Sequence, residues 1–370
     1  MQAKPKAKLT QDIPVGNGKD VNGHAPKIHQ AKSPGLTRSG LSSVERLKRG
    51  MRLLIGTVRS KHTDILLPDI CISPDGYEYD VYHPRGKALR TVLVVYGMTI
   101  LGREDVRLVR FARACVDNGL RVIMPHLPGL MDFEVSRQDM QRLESIVRCE
   151  AAHEQEQLGL VGFSTGGSYS LLLAADPALR GRLGPILLFS PIYDIRDVFE
   201  RLHAAPNEVP KTDKDWDQFI WAQYVIAFRN RNLLDLPEAV VEALRILLAE
   251  YDEMDIQVKK IFYKNHIQAL ELTSRSGLVN EGQALDQLSA RGQLAEVKSS
   301  VFMLHDATDQ LVPPDHTRLM HKELAKRGVG LRQHMLVTLW LSHVIMQTSG
   351  NPVELYKMVE YLGELFRVGL

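Results

Sequence analysis

The stretch that most narrows what this chain can fold into is LGLVGFSTGGSYSLLLAADP, Leu158 to Pro177. An apolar run of strand character enters Gly162-Phe163-Ser164-Thr165-Gly166-Gly167 and leaves into a segment of helical character. A plain strand-to-helix turn needs one Gly, Asn or Asp; here one serine is held among small residues. G-x-S-x-G between a strand and a helix predicts a strained turn that lifts the Ser164 hydroxyl clear of the sheet. Gly162 and Gly166 then mark places where strand and helix pass too closely for a Cβ. The helix N-terminus points N–H groups and positive dipole at the serine, where negative charge would develop in acyl transfer.

The rest of the chain supplies the sheet that such a turn requires. ILLPDICI and YEYDVYH flank SPDG, a turn signal, and read as an antiparallel hairpin. RTVLVVYG (90–97) is a continuous apolar run, as expected of a buried parallel strand. A helix over 104–118, a strand at 121–125, a helix over 136–155 and the strand PILLFS (185–190) continue the alternation. It resumes with SSVFMLH (299–305), a helix at 315–327, LRQHMLV (331–337) and a closing helix from 352. Strand and helix in turn, with buried apolar strands, imply a mostly parallel central sheet with helices on both faces. Residues 194–298 break the pattern: they read as helical throughout and carry Trp216, Phe219, Trp221, Tyr224 and Phe228. This insertion reads as a helical cap over one edge of the sheet, leaving 63–193 and 299–370 as the core.

Charge is sorted along the chain. Residues 1–61 carry thirteen Lys and Arg against three Asp and Glu, although the whole chain has a net charge of only +2. Residues 1–40 are poor in large apolar side chains and are expected to form a disordered basic tail. Residues 41–62 predict a basic amphipathic helix, with Leu41, Val44, Leu47, Met51, Leu54, Ile55 and Val58 at helical spacing and Ser42 or Ser43 as N-cap. That helix either packs on the domain with a solvated basic face or makes peripheral contact with an anionic membrane. Gly50 and Gly56 weaken it as an isolated helix. Basic residues here are not interleaved with stacking aromatics, which argues against a nucleic-acid role. No run has the roughly 18–20 apolar residues of a membrane span, and the N-terminus lacks the apolar segment of a secretory signal. Three scattered cysteines, Cys71, Cys115 and Cys149, read as reduced thiols of a cytoplasmic protein, with no disulfide framework or metal site.

A serine hydroxyl attacks a carbonyl only if a base takes its proton. In this architecture the acid and base follow the serine in chain order, at strand ends. Asp309 lies in HDATDQLVPPDH, directly after the strand SSVFMLH, and His343 lies in TLWLSHVIM, after LRQHMLV. Asp306 and Asp315 compete with Asp309 as the acid, and Asp194 and Asp197 after PILLFS are further candidates. His305, His316, His321 and His334 read as structural or solvent-facing. For the two N–H groups of an oxyanion hole, Thr165 follows the serine, and Met98, with Thr99 second, lies in the loop after the 90–97 strand.

With GFSTGG, HDATDQLVP and SHV in this order, and MPHLPG after the 121–125 strand, residues 65–370 resemble the α/β-hydrolase family. The likeness is to its capped serine hydrolases: esterases, lipases and prolyl-type aminopeptidases. The resemblance implies an α/β-hydrolase fold with an inserted helical cap and a Ser164–His343–Asp309 triad. It also implies cleavage of a carboxylic ester through an acyl-enzyme, with a small-molecule substrate and no metal or organic cofactor. An acyltransferase or thioesterase would use the same residues, an aminopeptidase would need an acidic clamp, and a binding protein could keep the scaffold without the chemistry. Two departures stand out: Tyr96-Gly97 where the family usually has His-Gly, and His305-Asp306 where it usually has His-Gly.

Overall fold

A computed structural model describes residues 41–59, 67–202, 212–264, 282–309, 311–328, 330–347 and 351–367. The expected tail at 1–40 and the end of the expected helix at 60–62 lie outside the described residues. Eight strands form one sheet in the order β1-β2-β4-β3-β5-β6-β7-β8. They are β1 (Asp69–Ile72), β2 (Glu78–Tyr82), β3 (Arg90–Val95), β4 (Leu120–Pro125), β5 (Leu158–Phe163), β6 (Leu183–Phe189), β7 (Val301–Asp306) and β8 (Gln333–Thr338). β1 pairs antiparallel with β2, and β2 antiparallel with β4. Every other neighbouring pair is parallel. All residues of β3, β5 and β7 are buried, which is why Val92–Val95, Leu158–Phe163 and Val301–Leu304 read as apolar runs.

Connections of opposite direction set the place for a site. From β3 the chain passes through helix α2 (Val106–Asp117) to β4 on one side, whereas from β5 it passes through α5 (Thr165–Ala175) to β6 on the other. The loops leaving β3 and β5, which are neighbours, therefore diverge and open a crevice at the C-terminal ends of the strands. This strand order, with β2 alone antiparallel to β4 and a serine turn after β5, is the α/β-hydrolase fold. Helices α3 (Pro128–Met131) and α4 (Arg137–His153) precede β5, so the connection that begins with HLPG after β4 contains one helical turn. Between β6 and β7 every described regular element is helical, including α6 (Ile195–Leu202), α7 (Asp213–Arg229) and α8 (Glu238–Glu250). A two-stranded ladder, Leu341–Ser342 with Ile345–Met346, follows β8 and was not expected from the sequence.

The N-terminal helix α1 (Ser43–Arg59) is capped by Ser42, whose hydroxyl accepts from the Glu45 N–H at 3.2 Å. It packs against α2 and the C-terminal helix Pro352–Gly363, burying Leu53 and Leu54. Its two glycines, poor residues for a lone helix, are what allow this packing. A Cβ on Gly50 would lie 2.1 Å from the Val359 carbonyl oxygen, and one on Gly56 would lie 2.9 Å from the Ala114 Cβ. Opposite them, a Cβ on Gly363 would meet the Arg46 carbonyl at 2.8 Å.

In an unpacked helix Gly50→Ala would stabilise by about 1 kcal/mol. Here the added methyl meets backbone, so the variant is expected to lose about 1–3 kcal/mol in urea denaturation. A gain in stability would show that α1 does not hold this contact.

Candidate active site at the strand tips

Ser164 is the hinge between β5 and α5, with φ 51° and ψ −121°, a conformation that an L-residue enters only under constraint. The constraint is crowding. A Cβ on Gly166 would lie 2.2 Å from the Val95 carbonyl oxygen, and one on Gly162 would lie 2.6 Å from the Gly167 Cα. Gly97, on the next strand end, comes so near that its Cβ would be 2.9 Å from that of Ser164.

His343 is the first residue of the two-residue tip joining Leu341–Ser342 to Ile345–Met346, and it has a positive φ of 52°. Three polar groups hold it. Its backbone N–H donates to Asp306 Oδ2 at 2.8 Å, its carbonyl accepts from the Ser190 hydroxyl at 2.6 Å, and its Nδ1 lies 2.5 Å from Asp309 Oδ2. A carboxylate only accepts, so Nδ1–H donates, and the Nε2 of the neutral ring is left as an acceptor. Asp309 is buried, and its other oxygen accepts from the N–H groups of Leu311 and Val312 at 3.1 and 2.9 Å. Burial alone would raise its carboxyl. The hydrogen bond from His343, the charge of that ring when protonated and the Val312 N–H outweigh burial and hold it below the ordinary carboxylate range.

The rival acids are engaged elsewhere. Asp306 accepts from the Thr308 N–H and hydroxyl through Oδ1, and so supports the His343 backbone while Asp309 meets the ring. Asp315 pairs with Arg318, Asp194 with Arg291 and Asp197 with Arg201. His305 is fully buried: its Nε2–H donates to the Val312 carbonyl at 2.7 Å, and its Nδ1 accepts from the Thr317 hydroxyl at 2.6 Å. Burial pushes its pKa down, which fits the neutral tautomer. It thereby fixes the far end of the loop that carries Asp309.

Ser164 and His343 both face one cavity of about 390 Å³. Gly97, Met98 and Thr165 line it as well. Thr99 also lines it, but its N–H donates to the Leu130 carbonyl at 3.2 Å. Tyr96, where the family usually has a histidine, lines the cavity but is buried: its hydroxyl accepts from the Leu127 N–H at 2.8 Å and ties the β3 loop to the β4 loop. Phe111, Phe163 and Phe189 form one wall, with the last two stacked at 4.7 Å. Val198, Phe199 and Ile226 of α6 and α7 form another, and Leu54, Thr57 and Val58 of α1 a third. Of the five aromatics noted between 216 and 228, none lines the cavity. Trp216, Phe219 and Tyr224 pack edge to face around Tyr263, and Trp221 packs on Phe133. Sequence reasoning missed Ser190, although a small polar residue at a buried strand end is the signal that could have marked it. Among the described residues no cluster of His, Cys, Asp or Glu could hold a metal ion.

No protein-family model and no curated protein sequence matches the chain. Solved structures resemble it distantly. An α/β-hydrolase fold protein from Nakamurella multipartita is 18% identical, with 80% of this chain and 99% of that one covered and a TM-score of 0.41. A meta-cleavage product hydrolase from Pseudomonas fluorescens is 13% identical over 74% of this chain and 90% of that one, with a TM-score of 0.41. An esterase from Exiguobacterium antarcticum is 14% identical over 73% and 90%, with a TM-score of 0.39.

The depressed Asp309 carboxyl makes stability depend on pH. The unfolded chain binds this proton more readily, so the stabilisation is complete above the ordinary Asp value of about 3.9 and is lost as pH falls through the lower folded-state value. Denaturation of the wild-type protein and Asp309→Asn should therefore show a stability gap that narrows below about pH 4. A gap that stays constant would contradict the assigned role of this carboxyl.

Proposed function

We propose that the protein is a serine hydrolase that cleaves carboxylic esters with an apolar acyl or alkyl group. Ser164 attacks the carbonyl carbon while His343 Nε2 takes its proton, and Asp309 orients the ring and stabilises the imidazolium. The N–H groups of Thr165 and Met98 receive the oxyanion. His343 returns the proton to the leaving alcohol, and water, deprotonated by the same ring, then releases the acid and regenerates the serine. The observation that carries this reading is the 2.5 Å contact between His343 Nδ1 and Asp309, with the ring and a positive-φ serine facing one cavity. The largely apolar lining supports the substrate class. The described helices between β6 and β7 act as a cap, with α6 and α7 supplying one wall.

An aminopeptidase is less well supported. The cap acids Glu238, Glu242, Glu250, Asp252, Glu253 and Asp255 do not line the cavity. The carboxylate that does, Asp105, is bound by Arg107 and by the Thr99 hydroxyl at 3.0 Å. Transfer of the acyl group to an alcohol or thiol uses the same residues and is separated by product analysis with and without an acceptor.

Ser164→Ala is expected to lower p-nitrophenyl ester hydrolysis at least about 10³-fold with an unchanged circular dichroism spectrum, and to abolish labelling by a fluorophosphonate. Asp309→Asn should cost about 10³–10⁴-fold in kcat, and Asp306→Asn, whose carboxylate meets His343 at its backbone N–H and not at its ring, much less. Near wild-type turnover by Ser164→Ala sinks the reading.

A further inference from the structure

We propose that the outward face of α1 docks on an anionic lipid surface and sets the mouth of the cavity against it. Docking does not depend on the chemistry at Ser164. Val44, Lys48, Met51, Ile55 and Val58 follow one another at steps of four and three, so they form a single stripe along the helix. The stripe faces away from the contacts with α2 and the C-terminal helix: Val44 is 63%, Met51 39%, Ile55 44% and Val58 45% exposed. Lys48 and Arg52 are exposed beside these residues. The one acid of the helix, Glu45, is bound by Arg49 at 3.1 Å.

The stripe leads to the cavity. Val58 belongs both to it and to the cavity lining, and the other exposed lining residues include Arg107, Leu311 and Ile345. The mouth is therefore rimmed largely by apolar side chains, with Arg107 paired to Asp105. Each apolar side chain left in water has a cost that burial at the headgroup boundary removes, while Lys and Arg stems extend their charges to the phosphates. Apolar and basic groups on one helix face without a free acid match the chemistry of an anionic bilayer interface. The thirteen Lys and Arg of residues 1–61, against three acids, place further positive charge in the same part of the chain. The helix packs on the domain, as one expectation had it, but its outward face carries the apolar Val44, Met51, Ile55 and Val58 beside the basic Lys48 and Arg52.

The test is co-sedimentation of the full chain with phosphatidylcholine vesicles with and without phosphatidylserine, alongside analytical ultracentrifugation without vesicles. The wild-type protein is expected to partition onto the phosphatidylserine vesicles more strongly, and less so at high salt. Met51→Gln with Ile55→Gln keeps the charge and should lower partition at least about tenfold. Ile55→Thr alone, milder for folding, should lower it severalfold. Unchanged thermal melting identifies variants that are folded. Three results would overturn the proposal: no binding by the wild-type protein, equal binding by the folded double variant, or a wild-type dimer that the double variant dissociates while vesicle binding persists. The last would make the stripe a contact between copies of this chain.

Discussion

The tips of the central strands are organised by how closely α5 crosses the end of β3. Where a Cβ on Gly166 would lie 2.2 Å from the Val95 carbonyl and 2.4 Å from that of Tyr96, no other residue type fits without moving backbone. That approach leaves little room to turn from strand to helix, and Ser164 takes up the constraint in a left-handed conformation. The hydroxyl is thereby aimed into the crevice between the diverging β3 and β5 loops, beside the first turn of a helix. A looser crossing would leave the serine on an ordinary turn, with no reason to point at anything.

The opposite side of the crevice is held by polar contacts. His343 lies on a short hairpin that has little core of its own, so its position depends on groups from neighbouring strand ends. Ser190 after β6, Asp306 at the end of β7 and Asp309 beyond it each satisfy a different polar group of the same residue. Buried polar groups of this kind are costly unless all are satisfied, and when satisfied they select one geometry. Two neighbouring acids thus share the work, one holding the backbone and the other the ring. His305 contributes at one remove, by anchoring Val312 at the end of the acid loop.

Much of the sheet was legible because strands buried on both faces have to be written as apolar runs. The boundaries were less so. β8 spans Gln333–Thr338 where 331–337 was expected, because its ladder with β7 continues to the pair Asp306 and Thr338. The hairpin around His343 was invisible, since strands of two residues carry no period. Asp306 and Asp309 could not be separated in the sequence: which carboxyl meets the imidazole depends on how the loop folds. Tyr96 looked like a departure at the oxyanion loop, yet its side chain turns to Leu127 and leaves the turn at Gly97 free to approach the serine. The glycines of α1 counted against that helix only while it was considered alone.

The groups that could perform chemistry sit on strand ends and one hairpin, whereas most of the cavity wall is helical. α1 shows how economically that wall is built. Gly50 allows it to close against the C-terminal helix, and Leu54, four residues on, is buried while lining the cavity. Val58, one further turn along, lines the same cavity and stands open to solvent. A helix that precedes the first strand is therefore core, wall and rim within three turns. Changes on its rim side can alter what reaches the cavity without touching the crowded crossing that positions Ser164, whereas changes on its core side are limited by backbone contact. In the proposed reading, selection of substrate and alignment of reacting groups would thus fall on different elements, and only the second requires the close approach of β3 and α5.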